Sequence, residues 1–174
     1  PADAPVTLQG VESAGFASPD PANPGAKWTF TAISTGGTWQ RYTHGLGVGD
    51  MNGDGRLDVL FKDGWFEQPA SLDGNPSWKL HRVFFAPAAA QMFAYDVNGD
   101  GRADVVTALA AHGYGFAWYE QLPERDAAGE FQFKPHIFMN KEAAENRYGV
   151  SFSEIHAVEL VDIDGDGLKD IVTG

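Results

Sequence analysis

Short apolar runs separated by turn-forming residues recur along the chain. Val59-Leu60-Phe61, Val105-Val106-Thr107 and Ile171-Val172-Thr173 are rich in β-branched or bulky residues, the types that fit a pleated, half-buried strand. Before them lie Leu46-Gly47-Val48-Gly49, Met92-Phe93-Ala94-Tyr95 and Ala157-Val158-Glu159-Leu160-Val161. Behind the first two come Trp65-Phe66-Glu67-Gln68 and Trp118-Tyr119-Glu120-Gln121, then Trp78-Lys79-Leu80-His81-Arg82-Val83 and Phe133-Lys134-Pro135-His136-Ile137-Phe138. An earlier relative of that last element is Trp28-Thr29-Phe30-Thr31-Ala32-Ile33. The pattern predicts a repeating unit of four strands, A to D, and leaves Lys141–Arg147 as the one stretch suited to a turn or two of helix.

What joins A to B is nearly constant. Asp50-Met51-Asn52-Gly53-Asp54-Gly55-Arg56-Leu57-Asp58 returns as Asp96-Val97-Asn98-Gly99-Asp100-Gly101-Arg102-Ala103-Asp104 and again as Asp162-Ile163-Asp164-Gly165-Asp166-Gly167-Leu168-Lys169-Asp170. A four-stranded unit of roughly 45–60 residues, repeated radially, is a propeller blade. The expected fold is therefore all-β, a β-propeller fragment, with residues 1–41 ending one blade, 42–86 and 87–140 forming two blades, and 141–174 starting the next. About three blades of material fall short of the 4–8 typical of closed propellers. Gly174 falls within strand B, so the expectation is a piece of a longer chain, or two copies pairing into one ring.

The nine-residue loop has the chemistry of a calcium site. Calcium takes about 6–8 oxygen ligands at about 2.3–2.6 Å. Positions 1, 3, 5 and 9 supply Asp50, Asn52, Asp54 and Asp58 in loop one, Asp96, Asn98, Asp100 and Asp104 in loop two, and Asp162, Asp164, Asp166 and Asp170 in loop three. The main-chain carbonyls of Arg56, Arg102 and Leu168 at position 7 are expected to point inward. Gly55, Gly101 and Gly167 at position 6 permit the sharp turn. Position 12, where an EF-hand needs Glu, holds Phe61, Thr107 and Thr173, so the predicted site is strand–loop–strand. Crowding three or four carboxylates without a cation would push their protonation equilibria upward. An acidic turn in solvent is the alternative for any single loop, since Asn-Gly and Asp-Gly are ordinary turn pairs, but it accounts poorly for three matched copies. Magnesium resists an irregular all-protein cage. Three calcium ions are expected, with loop three, the richest in carboxylates, binding most tightly.

Charge and composition narrow the rest. The formal net charge of −12 opposes binding to nucleic acid or an anionic membrane. The chain has no Cys, hence no disulfide framework or thiolate metal site. No run of about 18 apolar residues occurs to span a membrane. The opening Pro1-Ala2-Asp3-Ala4-Pro5 has neither a basic nor an apolar leader region, and is expected either to follow a removed leader or to lie inside a longer chain.

The loops resemble the FG-GAP/VCBS repeat family, whose hallmark is Asp-x-Asn/Asp-x-Asp-Gly-x-x-Asp after a short apolar strand. The resemblance covers most of residues 28–174. Its wider frame, Gly45–Asp50, Ala111–Gly115 and Phe152–His156, is similar to VCBS-repeat segments of large secreted bacterial proteins of planctomycete type. It implies a calcium-binding propeller like that of integrin α chains, in a secreted, extracellular or periplasmic setting. The roles it implies are adhesion, glycan or protein binding, or glycan degradation by a lyase or hydrolase.

His44 and His156 each stand six residues before the first Asp of a loop, with the parity of the apolar residues of strand A. Innermost strands line a propeller's channel, so both imidazoles are expected at its mouth, facing a shared space without touching, at the end opposite the loops. His112 and Tyr114 lie in an insertion of the second blade, and Glu154 lies near His156. The five would suit a transition-metal site or the acid and base of a sugar-acid lyase. Hydrogen bonding of the imidazoles to neighbouring blades, or no convergence, is the alternative. His81 and His136 on strand D are expected to be structural or exposed. Trp28, Trp65, Trp78 and Trp118 are expected between blades. Trp39, with Arg41 and Tyr42, suits either a packed loop or a sugar-stacking platform.

Overall fold

The computed structural model describes residues 13–34 and 43–174, so Trp39, Arg41 and Tyr42 lie outside the described residues. The elements fall into two compact units. In the smaller, strands β1 (Gly15–Ser18) and β2 (Thr29–Ala32) form an antiparallel pair. Beyond that pair, Ile33 is buried, its N–H donates to the Ala14 carbonyl at 2.9 Å, and its carbonyl accepts the Trp78 N–H at 3.2 Å. Phe16 packs on Trp78 with ring centroids 6.2 Å apart.

The larger unit carries the repeat. Its strands are β3 (Leu46–Gly49), β4 (Asp58–Phe61), β5 (Gly64–Glu67), β6 (Lys79–Arg82), β7 (Gln91–Tyr95), β8 (Asp104–Ala108), β9 (Phe116–Arg125) and β10 (Phe131–Met139), then β11 (Val158–Val161) and β12 (Asp170–Thr173). Residue Lys79 at the start of β6 is assigned to the smaller unit. The spatial order β10-β9-β8-β7-β3-β4-β5-β6 is two four-stranded meanders set back to back. They meet where β3 and β7 run parallel, Gly47 opposite Met92. These are the predicted A-B-C-D strands of two propeller blades, and β11–β12 repeats the A–B pair. The fold is all-β, a β-propeller fragment. Among the described residues the one helical element is a 3₁₀ turn, Ala143–Glu145, inside the stretch suited to helix.

Glycine in β3 sets the approach of the two inner strands. A Cβ at Gly47 would lie 2.1 Å from the Met92 carbonyl oxygen, and one at Gly49 would lie 2.4 Å from the Ala94 Cβ. Leu46 and Val48, alternating with them, are exposed, as the two-residue period of a strand requires.

The same period divides β8 between two cores. Val105 joins Met51, Leu60, Trp65, Phe85, Met92 and Tyr119, between the two blades. Its neighbour Val106 joins Phe116, Met139, Ile155 and Val158, between the second blade and β11. Phe131 of the second blade meets Trp65 of the first edge-on at 5.1 Å, so Trp65 does pack between blades. Within each blade the C-strand Trp also stacks on the D-strand His: Trp65 on His81 at 4.1 Å, Trp118 on His136 at 4.2 Å. The Glu two residues after each Trp bonds that imidazole, Glu67 to His81 Nε2 and Glu120 to His136 Nε2, both at 2.7 Å. His81 and His136 are thus structural. His81 Nδ1 further meets Glu130 of the second blade at 2.7 Å.

Candidate metal loops and a histidine cluster

Each acidic loop leaves the end of an inner strand, and all three share one hydrogen-bond scheme. The position 1 carboxylate accepts three main-chain N–H groups. In loop one Asp50 takes those of Gly53, Asp54 and Gly55 at 2.8, 3.1 and 2.8 Å. Asp96 takes those of Gly99, Asp100 and Gly101, and Asp162 those of Gly165, Asp166 and Gly167. This wrapping requires the left-handed glycines at positions 4 and 6, for instance φ +75° at Gly53 and +83° at Gly55.

The position 9 carboxylate closes the loop. Asp58 accepts the Met51 N–H at 2.8 Å and, across to strand C, the Gln68 N–H at 2.8 Å. Asp104 does the same with Val97 at 3.0 Å and Gln121 at 2.8 Å. Asp170 accepts the Ile163 N–H at 2.9 Å. The Glu-Gln pair after each C-strand Trp therefore has two tasks: Glu holds the His, and the Gln main chain holds the loop. The Gln68 and Gln121 carbonyls also accept from Arg56 Nε and Arg102 Nε, each at 2.9 Å. Gln121 Nε2 reaches further, donating to the Met51 carbonyl of the neighbouring loop at 3.0 Å.

The electrostatics of loops one and two show crowded negative charge. Burial pushes the Asp58 carboxyl up, its N–H bonds to Gln68 and Met51 oppose this, and the charges of Asp54 and Asp50 add to the rise. Asp104 follows the same course with Gln121, Val97, Asp100 and Asp96. Desolvation also acts upward on Asp54, but the Arg56 N–H, the Asn52 amide and the Arg56 guanidinium outweigh it and hold that carboxyl below its ordinary range. Asp100 repeats the balance with Arg102 and Asn98. Loop three has Leu168 in place of the arginine.

The donor set fits calcium. Carboxylate oxygens of Asp162, Asp164 and Asp166 lie within 4.8 Å of one another. Two oxygens on opposite sides of one calcium ion stand about 5 Å apart, so these three fall within a single coordination shell. All the side-chain donors are oxygens, as a hard cation requires.

At the opposite ends of the inner strands the structure gathers histidines. His44 precedes β3, His156 precedes β11, and His112 lies in the β8–β9 connection. His44 Nε2 and His112 Nε2 are 3.2 Å apart. Ring centroids are 4.9 Å apart for His44–His112, 4.6 Å for His112–His156 and 5.8 Å for His44–His156. The imidazoles thus meet in ring contact, closer than the shared but open space expected from blade spacing. The cause is local: the insertion folds back, Tyr114 bridging Ser153 and the Glu154 N–H donating to the Gly113 carbonyl at 3.1 Å. The Tyr114 and Glu154 side chains stay at the margin. Lys141 Nζ lies 6.0 Å from the Tyr114 ring centroid, and the Glu154 carboxylate accepts from Ser153 Oγ. A cavity of about 350 Å³ adjoins the cluster, lined by His44, Gly45, Leu46, Ala90, Gln91 and His156.

Four-stranded blades whose A–B turns carry an Asp-x-Asn/Asp-x-Asp-Gly-x-x-Asp loop define a repeat-built propeller. Residues 96–173, which include loops two and three, match the family model described as FG-GAP-like repeat. That span is similar to an FG-GAP-like repeat, and loop one repeats the same geometry outside it. Neither a curated protein nor a solved structure matches the chain. Among the described residues no helix is long and apolar enough to cross a membrane.

Proposed function

We propose that this chain is a calcium-binding β-propeller module of an exported bacterial protein, holding three calcium ions and presenting its loops to a glycan or protein ligand. The observation that carries this is the hydrogen-bond scheme common to all three loops. It fixes the position 1 carboxylate with three N–H groups in every loop, and in loop three the oxygens of positions 3 and 5 lie beside it. The position 7 carbonyls of Arg56, Arg102 and Leu168 and added water would complete each shell. Bound ions offset part of the −12 charge and tie strand A to strand B in each repeat. The secreted or periplasmic setting rests on the resemblance of the loops to FG-GAP/VCBS repeats, and extracellular calcium modules work at about 10⁻⁴–10⁻³ M calcium. Loop three, with four Asp and no arginine on its carboxylates, binds most tightly.

A glycan array probed in calcium and again in chelator tests the binding role. Retention without turnover, lost in chelator, is the expected result; calcium-independent binding or none refutes it. A second role, degradation of acidic polysaccharide, is favoured by the convergence of His44, His112 and His156 beside a cavity. Its mark would be product release that disappears in His156→Ala.

A further inference from the structure

The histidine cluster lies at the ends of the inner strands away from the acidic loops, and calcium chemistry does not account for it. Imidazole nitrogens are poor ligands for calcium and good ones for zinc, copper, nickel or iron. We infer that His44, His112 and His156 form a second, separate metal site that takes one divalent transition-metal ion, zinc by preference, with a fourth position open toward the adjoining cavity.

Spacing carries the argument. Zinc–nitrogen bonds of about 2.0–2.1 Å in tetrahedral array place ligand nitrogens about 3.3 Å apart. His44 Nε2 and His112 Nε2 stand at 3.2 Å, and one ring nitrogen from each of the three residues falls within 4.8 Å of the others. Within that 4.8 Å, rotation of the third ring would bring its nitrogen to the tetrahedral spacing. His156 already has the tautomer for this. Its Nδ1 lies 3.0 Å from the Glu154 carbonyl oxygen, the kind of outer bond that fixes the tautomer of a ligating imidazole and leaves Nε2 to the metal. Glu154 itself has φ +58°, uncommon for a residue with a side chain. Its N–H is held by the Gly113 carbonyl at 3.1 Å, so the segment that aims His156 is the one that brings in His112.

The cluster holds three His and, among the described residues, no fourth His, Cys, Asp or Glu. Three protein ligands with one open position is the arrangement of zinc sites that bind water or an exogenous ligand, whereas structural sites are closed by four. The cavity side of that position is lined by Leu46, Ala90 and Gln91, so a water or an oxyanion such as a sugar carboxylate has room to reach the ion.

The test is a titration of the full chain with Zn²⁺ and with Co²⁺, in millimolar calcium so that the acidic loops are saturated. One equivalent should bind, Co²⁺ giving the intense visible absorption of a tetrahedral site and Zn²⁺ displacing it. His44→Ala, His112→Ala and His156→Ala should each weaken zinc binding more than about 100-fold, since loss of an outer-shell partner alone costs about 10–100-fold. Their melting temperatures in calcium should stay near that of the parent chain. In the unaltered chain, zinc should protect these three His from diethylpyrocarbonate, as mapped by mass spectrometry, and leave His136 as reactive as before. Three results would overturn the proposal: no transition metal bound in calcium, binding undiminished in the three single variants, or modification of the three His unaffected by zinc. The last applies even if a variant fails to fold, and none of them bears on whether the loops hold calcium.

Discussion

Asp58 and Asp166 are both loop carboxylates, yet their removal should differ in kind. Asp58 is fully buried and satisfies two main-chain N–H groups. Asp58→Ala orphans both, at on the order of 1–3 kcal/mol each, so it should destabilise the chain in chelator as well as in calcium. Asp166 is exposed and, among the described residues, accepts only the Leu168 N–H, at 2.8 Å. Asp166→Ala should cost about 2–3 kcal/mol at a calcium concentration 100-fold above the dissociation constant, and little in chelator, because the loss is the linkage term for a bound ion. Urea melts of both variants with and without calcium separate the two roles; equal calcium dependence would refute the distinction. The fitting control is Asp73→Ala in an exposed loop. Asp126, which as sequence looks like a plain surface acid, accepts the N–H groups of Ala128 and Glu130 at 2.8 and 2.9 Å and holds the β9–β10 turn.

Within a blade, the Trp–His–Glu clasp ties strand C to strand D, and it is sensitive to pH. The hydrogen bond from His136, against some desolvation and with help from Lys134, holds the Glu120 carboxyl below its ordinary range. A carboxyl whose folded value is depressed contributes stability that is fully present above its unfolded value, near pH 4–4.5, and is lost as pH falls through the folded value. Glu120→Gln should therefore be less stable than the parent chain at pH 6, and the gap should close below about pH 4; a gap constant down to pH 3 would refute the clasp. Between blades, Gly47→Ala should cost about 1–3 kcal/mol as overpacking, since its Cβ meets the Met92 carbonyl. Much of this architecture is legible in the sequence. The nine-residue loops punctuate the chain, and between them the A to D strands have room for little else. Trp65 with His81 and Trp118 with His136 already stand at matched repeat positions. That His44 and His156 share one end is legible in their equal offset from the loops, but their ring contact with His112 is not legible, because it depends on the Tyr114–Ser153 bridge between an insertion and a distant segment, and no repeat or period marks that pairing. Nor is the shared task of Gln68 and Gln121, whose N–H groups and carbonyls hold their own loops in a way that side-chain identity does not reveal.

For the larger unit as a body, the inner and terminal strands expose apolar surface. Leu46, Val48, Ile171 and Val172 are 61%, 57%, 40% and 45% exposed, and among the described residues β6, β10 and β12 have unpaired edges in their sheets. Open edges beside apolar side chains favour association, so sedimentation of the isolated chain should show dimers or larger species that dissociate on dilution; a stable compact monomer at all concentrations would argue against this. The loops act on the same body, each joining an inner strand to its neighbour, so the ions should stabilise the blades together. Scanning calorimetry of the isolated chain, in millimolar calcium and again in excess chelator, with bound metal counted in parallel, addresses this most directly. Close to three calcium ions per chain are expected, with a melting temperature that falls by several degrees when they are removed. An unchanged melting curve in chelator, with no calcium found on the chain, would contradict it.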